Sequence, residues 1–240
     1  MSGQEKAGEN PAQSIDMQII ARIRTPFAEK FGVPRQSGLV EEVEAEIVFT
    51  PPYRNADAVR GLEEFSHIWL IWQFDRAQRS TWSPTVRPPR LGGNQRMGVF
   101  ATRSPFRPNG IGLSSVRLQR VEQTAEGPVL HVLGADLVDG TPILDIKPYL
   151  AYCDSHPTAA GGWTDRVENT ALTVEFPPAL WERVPPACRQ GLVGVLSADP
   201  RPRYQDDPLR LYGLTYGGVN VKFRVAGETL TVIEVAAQEQ

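Results

Sequence analysis

Cysteine and histidine are scarce in this 240-residue chain, with two and three copies, and between Arg76 and Arg120 there is no lysine, aspartate or glutamate at all. Cys153 and Cys188 have no Cys or His nearby at metal-ligand spacing, so neither a zinc site nor a disulfide framework is indicated. Both are expected to be small buried side chains. Apolar runs such as Ile68 to Trp72 stop at five residues, far short of the roughly 20 that a membrane-spanning helix requires. There is no P-loop sequence and no serine nucleophile elbow, and His67, His131 and His156 lack metal-ligand spacing, so no metal is expected. Gly110-Ile-Gly112 begins like a dinucleotide fingerprint, but Ser115 stands where the third glycine belongs. Residues 1–14 carry Glu5, Lys6 and Glu9 without an apolar core, so they read as a tail and not a secretory signal. A cytoplasmic protein is the default expectation.

What the Arg76–Arg120 stretch does hold is nine arginines, inside a chain of net charge −3. Taking those nine from 25 Lys+Arg leaves 16 basic residues against 28 acidic ones. The remainder is strongly acidic. A focused cationic patch of this kind implies an anionic partner; the alternative is that the arginines pair with acids distant in sequence. At the centre of the stretch, Gly98 to Gly112 mixes arginine with proline, glycine and phenylalanine, the composition of a rigid loop and not of a solvated helix face.

Alternating apolar residues predict strands at Met17–Arg24, Ala45–Phe49 and His67–Phe74. Pro51-Pro52 breaks the chain, and Asn55 is placed to cap a short helix through Val59, Leu62 and Phe65. Further strands are expected at Val99–Thr102, Leu113–Val121, Val129–Leu133 and Ile143–Ile146. Without strand–helix alternation, an all-β barrel or sandwich fits the first 155 or so residues. His156 to Thr164 has linker composition, and a smaller unit follows, with strands at 171–176, 211–216, 219–225 and 229–236 and helices at 178–184 and 187–198. The expected division is 15–157 and 165–238.

A second signal is Asp136-Leu-Val-Asp-Gly-Thr-Pro-Ile-Leu-Asp-Ile-Lys-Pro-Tyr149. Asp136, Asp139 and Asp145 sit among Leu, Val and Ile, so their charges need partners, for which the arginines are candidates. Pro34-Arg-Gln36, Arg87-Pro-Pro-Arg-Leu-Gly-Gly93, Gly98 to Gly112 and Asp136 to Tyr149 resemble the signatures of the TsaA-like, or TrmO, tRNA methyltransferases. Asp199-Pro-Arg-Pro202 and Asn220-Val-Lys-Phe223 are similar to that family's smaller C-terminal region. The motifs occur in order from Met17 onward. Gly110 departs from the pattern, which has proline there, and Asp75-Arg76 stands where the family commonly shows another pair.

The resemblance implies a mainly β fold: an S-adenosylmethionine-binding β-barrel domain outside the Rossmann class, with a small α+β C-terminal domain, usually in a homodimer whose cofactor site lies near the subunit interface. It also implies methylation of N6 of N6-threonylcarbamoyladenosine, beside the anticodon of threonine tRNA. Carried over by position, Pro34, Arg35, Gln36, Asp75, Arg76, Arg103, Leu113, Asp139, Gly140 and Thr141 would form the cofactor pocket. A guanidinium can hold the methionine carboxylate, Leu113 can pack on the adenine ring, and the 139–142 turn can offer N–H groups and carbonyls to the adenine edge. Arg87, Arg90, Arg96 and Arg107 would divide tRNA phosphates and the threonyl carboxylate, with Trp82, Phe106 and Tyr149 available to stack bases. Arg201, Arg203 and Arg210 are further candidates for tRNA contact. Asp139, His67 and Asp154 are possible bases by residue type, though His67 also reads as a hydrogen-bonded strand end; no base is assigned. The alternatives are a methyltransferase of this fold with another substrate, or a non-catalytic tRNA-binding module.

Overall fold

Alternation drives the first strands. In β1 (Ala21–Arg24) Ala21 and Ile23 are buried while both arginines are exposed, and β2 (Glu44–Phe49), β3 (His67–Gln73), β6 (Ile111–Thr124) and β7 (Gly127–Leu133) continue the pattern, whereas β8 (Pro142–Pro148) buries the successive Pro142 and Ile143. A computed structural model describes residues 14–77, 81–91, 94–166, 171–201 and 207–238; most of the expected N-terminal tail lies outside them. These strands close a barrel in the order β1-β2-β7-β6-β3-β8, every pairing antiparallel. Closure removes the sheet edges, and Ile23, Ile47, Ile68, Leu70, Leu130 and Ile143 fill the interior. Gly112 is needed there: a Cβ on it would lie 2.2 Å from the Trp72 indole, which occupies the space between β3 and β6.

The strand registers send three long connections out of the same end of the barrel: β1–β2, β3–β6 and β7–β8. The second holds a two-stranded ribbon of β4 (Thr85–Val86) and β5 (Met97–Gly98). At the opposite end Asn55 accepts a bond from the Asp57 N–H at 2.9 Å, capping a 3-10 turn, and a second such turn covers Leu62–Glu64.

After α1 (Ala151–Asp154), the C-terminal unit comprises β9 (Thr173–Glu175), α2 (Pro178–Trp181), α3 (Arg189–Ser197), β10 (Tyr212–Tyr216), β11 (Val219–Ala226) and β12 (Thr229–Ala237). Its sheet runs β10-β11-β12-β9, with β9 parallel to β12. The core of this unit is not confined to its own sequence. Phe27, Val40 and Val43, all from the β1–β2 connection, are buried in it beside Leu192, Phe223 and Val235.

Several local expectations are corrected. Residues 17–19 lie outside the strand that begins at Ala21, while Ile20 already donates to the Ile143 carbonyl and accepts from the Thr50 N–H, both at 2.9 Å. Val99–Ala101 is a 3-10 turn and not part of a strand, because the Val99 carbonyl accepts from both the Thr102 N–H (3.2 Å) and its Oγ1 (2.8 Å). Cys153 is exposed on α1 and not buried, since α1 is a single turn on the barrel's surface. Cys188 is half-buried, and burial raises its thiol pKa.

Candidate cofactor and nucleic-acid site at one mouth of the barrel

The three connections at the mouth carry nine of the ten residues expected to hold the cofactor. Pro34, Arg35 and Gln36 lie on β1–β2, Asp75, Arg76 and Arg103 on β3–β6, and Asp139, Gly140 and Thr141 on β7–β8. Two arginine side chains reach from the β3–β6 connection to the other loops. Arg103 Nη1 donates to Gln36 Oε1. Arg76 donates through Nη1 to the Ala28 carbonyl at 3.0 Å and through Nη2 to the Asp139 carbonyl at 2.7 Å. One planar guanidinium thus fixes two loops at once, a task suited to its fork of donors. Asp75 is exposed beside it.

The 139–141 turn is held almost entirely by protein. Its N–H groups bond to the carbonyls of Phe27 (2.8 Å), Ile23 (2.8 Å) and Val138 (3.2 Å). Asp139 Oδ1 accepts from the Thr25 N–H at 3.0 Å, and the buried Thr141 hydroxyl donates to Val138 at 2.7 Å. Gly140 has φ +78°, the left-handed conformation that favours glycine. The expectation that this turn offers N–H groups to a ligand is therefore corrected: they are all committed. Its carbonyls accept from Arg76, Arg22 and the Ile23 N–H, and each oxygen retains a second lone pair for a donor such as an amino group.

Leu113 stands apart from the other nine. Gly112, Ser114 and Val116 face the barrel interior, so period two turns Ile111 (38% exposed) and Leu113 (52% exposed) outward, beside Ile71 of β3. Arg35 also points elsewhere, its Nη2 donating to the carbonyls of Asp199 (3.2 Å) and Arg201 (3.3 Å) in the C-terminal unit. Arg201 in turn pairs with Asp199 at 2.9 Å, and Arg210 lies over the Tyr212 ring. Arg203 lies outside the described residues.

The three carboxylates find different partners. Asp145 pairs with Lys147 at 2.9 Å, and Asp139 takes the Thr25 N–H, so neither carboxylate meets a described arginine of the block. Only Asp136 does. Burial raises its pKa against the opposing pull of hydrogen bonds from Ser114, its own main chain and Ser37, and of the nearby Arg103 charge.

Among the described arginines of the block, Arg120 pairs with Glu122 at 3.2 Å, whereas Arg87, Arg96, Arg107 and Arg117 make no hydrogen bond or ion pair with the described residues. Arg79 and the side chain of Arg90 lie outside the described residues. The β4–β5 ribbon places Arg87 directly after Val86 and Arg96 directly before Met97, the strand partner of Val86, so both arginines mark one end of it. At its other end Trp82 (52% exposed) and Phe100 (74% exposed) stack at 6.3 Å and 30°. Phe100 was not expected in this role. Its neighbours read as strand, and only the 3-10 turn at Val99–Ala101 throws its ring into solvent.

Tyr149 is not at this mouth. It follows β8 at the other end, packed against Trp69 at 5.5 Å and near His67 at 6.2 Å. It lies seven positions after Pro142, about 23 Å of extended chain. His67 bonds Ser66 Oγ at 2.9 Å, and Asp154 takes the Trp69 Nε1–H and Leu150 N–H, which lower its pKa. Of the three candidate bases, Asp139 alone lies at the mouth.

Two family models match the chain: the tRNA-methyltransferase O N-terminal domain over residues 22–155 and the TrmO C-terminal domain over 169–238. The chain belongs to the TrmO family. A protein of Escherichia coli named tRNA (adenine(37)-N6)-methyltransferase is 43% identical over 220 residues, covering 88% of this chain and 94% of its own. One of the same name from Eikenella corrodens is 46% identical over 176 residues, 73% of this chain and 99% of that one. A crystal structure of TrmO from Pseudomonas aeruginosa superposes with a TM-score of 0.77 at 34% identity, covering 96% of this chain and all of that one. The mainly β TrmO architecture, with its closed barrel outside the Rossmann class, is thus the fold of this chain. The small C-terminal unit expected beside it has its own TrmO match.

Proposed function

We propose that this chain is an S-adenosylmethionine-dependent tRNA methyltransferase that methylates N6 of adenine 37, acting on the N6-threonylcarbamoyl form of that base in threonine tRNA. The observation that carries the reading is the meeting, at one barrel mouth, of the Gln36–Arg103 pair with a ribbon bearing stacked exposed aromatics and unpaired arginines. The first suits a small zwitterionic ligand and the second an anticodon loop.

The residues fit the methyl donor. Arg103 is exposed and suits a carboxylate, Leu113 offers an aliphatic surface, and the turn carbonyls can accept from an amino group. When bound, S-adenosylmethionine supplies an electrophilic methyl carbon, so no covalent intermediate on the protein is required. The protein's part is then to hold the acceptor nitrogen in line, within about 3 to 3.5 Å of that carbon. Gln36 and Arg103 orient the donor, Arg76 fixes the turn that borders it, and Trp82 with Phe100 grips loop bases by stacking. Arg87, Arg96 and Arg107 face the phosphates and the threonyl carboxylate.

The outward position of Leu113 supports a homodimer. A single chain leaves Leu113, Ile111 and Ile71 on an outer barrel face, and a second copy laid on that face would enclose Leu113 near the mouth. No helix among the described residues is long and apolar enough to cross a membrane, and we place the reaction in the cytoplasm, where tRNA resides. The deciding experiment is methylation of purified threonine tRNA with and without its threonylcarbamoyl group. Transfer to the modified form alone is expected; equal transfer to both overturns the proposed substrate.

A further inference from the structure

His156 to Thr164 has the composition of a linker, yet its second half is folded against the β3–β6 connection. Gly162–Arg166 forms a 3-10 turn. The Asp165 carboxylate accepts the Gly161 N–H at 2.8 Å, and Thr164 Oγ1 donates to the Gly161 carbonyl at 2.7 Å, so the turn is closed by its own side chains. A Cβ on Gly161 would overlap the Asp165 carboxylate and push it off this bond, and Gly162 has φ +62°. From this turn the half-buried Trp163 sends its Nε1–H to the Ala101 carbonyl, 62 residues earlier, at 2.9 Å.

Ala101 ends the 3-10 turn that throws Phe100 into solvent, and the backbone is held on both sides of that ring. Before it, the Val99 N–H donates at 2.9 Å to the carbonyl of Pro84, two residues past Trp82, and the Val99 carbonyl accepts from Thr102. After it, the Ala101 carbonyl, which the turn itself leaves without a partner, accepts from the indole. The Trp82–Phe100 stack thus rests on two fixed points, and Trp163 supplies the second.

Stability alone gives this bond little purpose. Ala101 is exposed, so water would serve its carbonyl nearly as well and the net gain is small. What the indole does, and water does not, is fix the direction of the peptide after Phe100. An exposed ring held on one side only samples more rotamers, and ordering it opposes stacking on a base.

We propose that Trp163 is a positioning residue for tRNA binding, which holds the Val99–Ala101 turn so that Phe100 stands stacked on Trp82 before a loop base arrives. This rests on the reading that Trp82 and Phe100 grip anticodon-loop bases. Trp163 acts through Phe100, since its own indole N–H is committed to protein.

The test uses the full chain, with tRNA affinity read by filter binding on threonine tRNA, S-adenosylmethionine affinity by calorimetry and folding by thermal melting. Trp163→Phe keeps a ring and loses the N–H. It is expected to weaken tRNA binding about fivefold and to raise KM for tRNA in proportion, with kcat at saturating tRNA, S-adenosylmethionine affinity and melting temperature at wild-type values. In a Phe100→Ala background the same change should cause no further loss, because the ring it positions is gone. Wild-type tRNA affinity in Trp163→Phe, or an equal loss in both backgrounds, overturns the positioning role while the ribbon site stands. A fall in melting temperature or in S-adenosylmethionine affinity alongside the tRNA loss marks a general structural role and overturns it too. Unchanged tRNA affinity in Phe100→Ala removes that ring from the tRNA grip, and this inference with it.

Discussion

Phe27, three residues past the end of β1, sets its ring edge-on against Tyr216 of the C-terminal sheet, 5.2 Å between centroids at 74°. Both are fully buried. The Pro26 carbonyl also accepts the Gly217 N–H at 2.9 Å, and Arg35 reaches the Asp199 and Arg201 carbonyls. The loop that carries Gln36 is thus rooted in the second core, which gives the C-terminal unit a task at the barrel mouth.

Phe27→Ala leaves a cavity in that core, and an unfolding free energy lower by about 3 to 5 kcal/mol is expected. Donor affinity should fall with it even at temperatures where the chain stays folded. Urea titration and calorimetry on one preparation check both.

Trp82→Ala and Phe100→Ala remove the stacked pair on the ribbon. Each is expected to weaken tRNA binding by about 1 to 3 kcal/mol, with stability within about 0.5 kcal/mol of wild type because both rings are exposed. Filter binding on threonine tRNA measures the first and thermal melting the second. Unaltered tRNA affinity in both variants would remove the ribbon from the interface.

Arg87→Ala and Arg96→Ala each remove an unpaired guanidinium. If they face phosphates, the slope of log affinity against log salt should shallow by about 1 per variant, with affinity for S-adenosylmethionine unchanged. A salt series of tRNA binding reads this out.

Asp136 also governs a pH effect. Because burial raises its pKa, the folded chain holds this proton more tightly than the unfolded chain does. The stability it contributes is full below the ordinary aspartate value and is lost as pH rises through the raised one. Asp136→Asn abolishes that loss, so the variant is expected to be at least as stable as wild type near neutral pH, with its advantage fading in acid. Urea unfolding across that range checks the sign.

Much of the barrel is legible in the chain because period two is local: Ile68, Leu70 and Trp72 announce a buried strand face without knowing what covers it. The strand order β1-β2-β7-β6-β3-β8 is not legible, since alternation says which face is buried and not which strand lies beside it. The arginine block was equally visible, and its four unpaired members agree with an anionic partner. The division of labour inside it was not. Arg76 and Arg103 look alike in sequence, yet one binds main-chain carbonyls and the other a glutamine.

By itself, then, the sequence determined the strand faces, the charge segregation and the motifs that place the chain in its family, because each depends on residues near one another. Tertiary structure alone decided three other things. Ile71 of β3 lies beside Leu113, the 139–141 turn keeps its N–H groups for protein carbonyls, and Phe27 anchors a barrel loop in a distant core. Each of these depends on which partners closure brings within bonding distance across 40 to 190 residues, and no local pattern encodes that.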